Sequence, residues 1–175
     1  MAKKRTAAKA SPTFAAIANK KKKLVKEAAN AKDSRFENDD IPDGVYVAKV
    51  SFEVGVTKDG TPWYAYNVTI ARDEQKNKRC RMWNSLTDQF KYQDGKRTDE
   101  IRRSEQEQWE QFFRDLRHAG IEDVENLDPE QIEEVCLDTR EEPLVCQVKI
   151  SNWEGERSSG MNCYINRPIG EDENE

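Results

Sequence analysis

TPWYAYNVTIARDEQKNKRCRMWNSL, residues 61–86, packs two tryptophans, two tyrosines and a run of Lys and Arg into one predicted hairpin. A period of two sorts its side chains. Tyr64, Tyr66, Val68 and Ile70 share one face of the first segment, and Trp63, Ala65, Asn67 and Thr69 share the other. After the polar loop ARDEQKNK the pattern resumes, with Cys80, Met82 and Leu86 alternating against Arg79, Arg81, Trp83 and Ser85. Each segment therefore reads as a half-buried strand, with its aliphatic face toward a core and its Trp/Arg face outward.

Upstream, Ile41-Pro42-Asp43-Gly44 sets a turn before VYVAKVSFEV, in which Tyr46, Ala48, Val50 and Phe52 oppose Lys49, Ser51 and Glu53. Lys58-Asp59-Gly60 marks the turn into the second strand. Downstream the period changes. Ser104 and Glu107 form a capping box, Trp109, Phe112, Phe113 and Leu116 repeat at helical spacing, and Gly120 stops the helix. A second helix starts at Asp128-Pro129 with Ile132, Val135 and Cys136 inward. Two further strands, LVCQVKISNW and GMNCYINRP, are joined by EGERSSG and offer Cys146, Val148, Ile150, Met161, Cys163 and Ile165 to the core.

Three strands, a helical insertion and two strands is the order of the OB-fold, a small five-stranded barrel; a generic α+β arrangement gives the same string. The expected architecture is mainly β, an OB-fold-like barrel with helices inserted between strands 3 and 4. A basic flexible arm (1–35), a domain (36–168) and an acidic tail (169–175) divide the chain.

Charge is unevenly placed along this plan. The formal net charge of −5 conceals an arm with eleven Lys/Arg against two acids, a segment 61–103 with ten basic and six acidic residues, and a segment 104–142 with three basic and fourteen acidic. The acidic segment reads as a solvated face turned away from any polyanion, whereas the arm, with four consecutive lysines at 20–23, reads as a tether for one, with a solvated tail or a nuclear import signal as the competing readings. Mean hydropathy of −1.01 and the lack of a long apolar run exclude a membrane-spanning helix or secretory signal from the reading, so the expected compartment is the cytoplasm. Cys80, Cys136, Cys146 and Cys163 lack CxxC spacing and read as reduced, buried thiols, with no metal or other cofactor expected.

Sequence-tolerant binding of a single nucleic-acid strand needs cations along the phosphates and flat rings under the bases. Trp63, Arg79, Arg81 and Trp83 supply both on one predicted face, with Lys78, Lys49, Lys149, Trp153 and Tyr164 as further candidates. Tyr46, Tyr64, Tyr66 and Trp109 keep company with aliphatic positions and read as core. Neither a phosphate-binding glycine loop, GxSxG nor HExxH occurs, and His118 sits beside a predicted helix end, so no catalytic centre is expected.

The succession PDGVYVAKV, KDGTPWYAYNVTI, a third strand closing in WNSLTD, a helical stretch and EPLVCQVKI resembles phage-encoded single-stranded DNA-binding proteins over roughly 41–168. The resemblance implies an OB-fold that coats single-stranded DNA in replication, recombination or repair. It also implies an acidic C-terminal tail that recruits replication or recombination proteins; EDENE resembles one but lacks a terminal Pro-Phe. The competing expectation is an OB-fold adaptor that binds another protein through the same groove.

Overall fold

The computed structural model describes residues 38–156, 158–170 and 173; the basic arm and nearly all of the acidic tail lie outside them. Seven strands and two helices follow in order: β1 (Gly44–Val56), β2 (Pro62–Ile70), β3 (Arg79–Ser85), β4 (Gln89–Gln93), β5 (Lys96–Arg103), α1 (Glu105–His118), α2 (Pro129–Glu141), β6 (Leu144–Glu154) and β7 (Ser159–Pro168). Five strands form one antiparallel sheet in the order β3-β2-β1-β6-β7, curled into a half-barrel. The other two, β4 and β5, pair only with each other. Five strands, both helices and their caps stand close to where the sequence puts them.

The β4–β5 hairpin is absent from the strand count read from the sequence, and it interrupts the expected passage from strand 3 to helix. Its turn is Asp94-Gly95, both at positive φ (52° and 77°), the pairing that matches the twist of a two-residue hairpin. That dipeptide is the signal that would have found it.

β1 is long because it serves two neighbours. Ala48–Val56 pairs with β2, whereas Gly44–Val50 pairs with β6, so only three residues are bonded on both sides. Beyond Val50 the β6-facing edge of β1 is open, and α2 covers it: the buried hydroxyl of Thr139 accepts from the Phe52 N–H at 2.8 Å and donates to the Cys136 carbonyl. A buried N–H is thus satisfied by a helix where a strand has ended.

The inward face holds the expected residues. Phe52, Tyr64, Val68, Cys80, Val148 and Ile150 are wholly or almost wholly buried, and Phe112 and Leu116 of α1 close over them. Trp109, Phe113, Ile132 and Tyr46 pack against this core while staying half-exposed. The predicted capping box of Ser104 with Glu107 forms, and Asp128, expected as an N-cap, forms a second one with Gln131. His118 reaches the Ile165 carbonyl through Nδ1 at 2.9 Å, which docks the end of α1 on β7. All four cysteines are buried free thiols; those of Cys80 and Cys163 touch inside the seam between β3 and β7. Among the described residues no helix is long and apolar enough to cross a membrane.

Residues 38–43 strap the free edge of β3 to the β6–β7 side. Asp39 exchanges backbone and carboxylate bonds with Arg79, and Asn38 accepts from the Arg81 N–H. Asn152 then donates to the Ile41 carbonyl and to Asp43, whose carboxyl is held below the ordinary range by those bonds. Ile41, fully buried, plugs the gap.

Two buried polar contacts carry measurable consequences. Replacing Thr139 by Val leaves the Phe52 N–H buried without an acceptor and is expected to cost about 1–3 kcal/mol, read as a lower urea midpoint. Asp115, buried, accepts from the Tyr64 hydroxyl and from Gln111 at 2.8 Å each, and burial raises its carboxyl above the usual value despite those bonds. The folded chain therefore binds this proton more tightly than the unfolded one, and the resulting stabilisation at low pH is lost as pH rises through the raised value. Asp115→Asn should remove that decline, so the gap between variant and wild-type urea midpoints should move in the variant's favour as pH rises from the carboxylate range to neutrality; a pH-independent gap would refute it.

Candidate nucleic-acid interface

Register decides which outward residues meet. Reading across the sheet, Gly55, Trp63 and Ser85 form one row, Glu53, Ala65 and Trp83 the next, Ser51, Asn67 and Arg81 the third, and Lys49, Thr69 and Arg79 the fourth. The four residues named first from the sequence thus do share one face.

Trp63 and Trp83 lie 6.3 Å apart with ring planes at 36°, and the Arg81 guanidinium sits 5.8 Å from the Trp63 ring. Trp63 is half-buried, whereas Trp83 is 51% exposed and offers ring surface to solvent. Two glycine-like spaces make this possible. Ala65, outward by register yet fully buried, is small enough for Arg81 to reach over β2 to Glu53, at 2.8 Å. Gly55, directly opposite Trp63, has no side chain where the indole rests; a Cβ there would come within 2.5 Å of it.

The Arg81–Glu53 bridge is invisible to sequence reading, and it changes the role of Arg81. Glu53 also receives Arg140 of α2 at 3.7 Å. Arg81 is consequently a half-buried prop for Trp63, paired with a carboxylate that it shares with Arg140. Lys49 and Arg79, exposed in the same row and about 10 Å apart across β2 by strand spacing, are the better placed cations.

The remaining candidates separate. Lys78 precedes β3, has the inward parity of Cys80 and donates to the Asp40 carbonyl, so it stands off the face shared by Arg79, Arg81 and Trp83. Lys149 and Tyr164 pair across β6 and β7 on the same outward face, in the row of Val45, about 13 Å along β1 from Lys49 by strand rise. Trp153, 45% exposed, rests on Gly160 beside a cleft of about 640 Å³ lined by Asp39, Asp40 and Glu154. That acidic surrounding repels phosphate and sets Trp153 apart from the platform.

The arrangement provides one exposed indole braced by a second, a cation pair two rows further along the same face, and an extension toward Lys149 and Tyr164. Scanning models of known protein families, curated proteins and solved structures gave no match to this chain.

Gly55→Ala tests how the platform is held. The added methyl must displace the Trp63 ring, so the exciton signal of the Trp63–Trp83 pair in circular dichroism should collapse while the cooperative unfolding transition persists. An unchanged signal would show that the indole does not depend on that space.

Proposed function

We propose that this half-barrel is an OB-fold and that the protein binds single-stranded DNA without catalysis, coating or protecting strands during phage DNA replication, recombination or repair. The observation that carries the reading is the solvent-facing Trp83, braced by Trp63 and Arg81, with Arg79 of β3 and Lys49 of β1 two rows further along the same outward face. OB-folds use that face for single strands, and stacking with phosphate contacts needs no base-specific hydrogen bonds. The strand order, with β1 shared between β2 and β6 and helices before β6, is the connectivity expected of such a barrel. Recruitment of replication proteins by the acidic tail belongs to the same proposal.

A second reading, an adaptor for another protein, draws on an apolar groove of about 470 Å³ between α1, α2 and the β1–β2 end, lined by Trp109, Phe113, Leu127 and Ile132. The two readings part on one titration. Tryptophan fluorescence with oligothymidine, duplex DNA and RNA at two salt concentrations should show quenching by the single strand that weakens with salt. Trp83→Ala should lower affinity about 5- to 150-fold, the worth of one stacked base, with an unchanged melting temperature. Salt-insensitive absence of quenching in the wild type would favour the adaptor.

A further inference from the structure

The β4–β5 hairpin spends large apolar side chains where no core receives them. Tyr92 is 71% and Ile101 47% exposed, and neither belongs to the buried cluster or packs on it. Phe90 pairs with Ile101 across the ribbon and Tyr92 with Arg97, whose guanidinium stacks 3.8 Å over the Phe90 ring. A two-stranded ribbon gains little stability on its own, so solvent-facing rings on it are not explained by folding.

Charge identifies the occupant. The hairpin carries Lys91, Lys96, Arg97, Arg102 and Arg103 against Asp94, Asp99 and Glu100. Only Lys91 is spent, on Glu100; among the described residues Lys96, Arg102 and Arg103 make no ion pair. Rings interleaved with uncommitted cations fit a polyanion that carries stacking bases, and fit an acidic or purely apolar protein surface less well.

Position places the ribbon in series with the platform. β3 ends at Ser85, the residue opposite Trp63, and β4 begins four residues later. Asp88, between them, is anchored by the Glu105 N–H at 2.7 Å, so the ribbon is rooted at the Trp63 end of the β2–β3 face. Along the chain the order is Arg79, Arg81, Trp83, then Phe90, Tyr92 and Arg97.

We propose that the β4–β5 hairpin is a second contact for single-stranded nucleic acid, engaged by strands long enough to run off the Trp83 platform, with Tyr92 stacking a base and Arg97 with its neighbours holding phosphates. The proposal rests on the single-strand reading above. It predicts a length-dependent site: short strands use the platform, longer ones use both.

The test is a titration of the full chain with oligothymidines of about 6 and about 30 nucleotides, one inside and one well beyond the range of about 4–16 nucleotides covered by one OB-fold. The double variant Tyr92→Ala, Arg97→Ala should lose tenfold or more on the long strand and stay within twofold of wild type on the short one, at the wild-type melting temperature. Tyr92→Phe, which keeps the ring, should restore most of the long-strand affinity in the presence of Arg97. Equal affinity of the double variant and wild type on both lengths, or an equal loss on both, overturns the second contact while leaving the platform reading in place. Failure of the wild type to bind either strand removes the platform reading, and with it this one.

Discussion

Everything in this domain depends on how one long strand satisfies its backbone. β1 bonds to β2 through Val56 but to β6 only through Val50, and a sheet that changes partners midway along a strand cannot stay flat. The curl gathers the inward side chains around Phe52 and Tyr64 and leaves one stretch of edge to be satisfied by other means. Thr139 does so from a helix, which fixes α2 against the sheet, and α2 in turn delivers Arg140 to Glu53. The outward cluster of Glu53, Arg81 and Trp63 is therefore coupled to a hydrogen bond on the opposite side of the strand.

The same curl leaves β3 and β7 unpaired with each other, and open strand edges invite association. Residues 38–43 blunt the β3 side with Asp39 and Asn38 accepting its N–H groups, and the Cys80 and Cys163 thiols close the interior of the seam. The carboxylates brought by the strap also divide the outer surface. Lys49, Arg79 and Trp83 lie on one side of it and Trp153, beside Asp39, Asp40 and Glu154, on the other, so the seam separates cationic from acidic surface.

What could be read from the sequence was whatever burial imposes. Strand parity in β1, β2, β3, β6 and β7 was legible because each inward position must be apolar, and both helices were legible because their caps use local chemistry. The β4–β5 hairpin was not, because Phe90, Tyr92 and Ile101 alternate without a core to face, and only Asp94-Gly95 marks it. Arg81 reaching Glu53 over Ala65 depends on three strands in register, a relation no local pattern contains. Lys78 looked like a platform cation from its neighbours, but parity sends it under the strap.

Trp63 facing Gly55 and Trp153 facing Gly160 are the same device used twice, once near the mouth of each long hairpin of the sheet. Each indole rests where its cross-strand neighbour has no side chain; a one-residue slide would set Val54 or Val56 opposite Trp63, and Ser159 or Met161 opposite Trp153. The alignment of each hairpin is thereby written into the sheet itself, as well as into the hydrogen-bonded turns, where Thr57 and Thr61 bond in the first and the Gly155 N–H donates to the Ser158 carbonyl in the second.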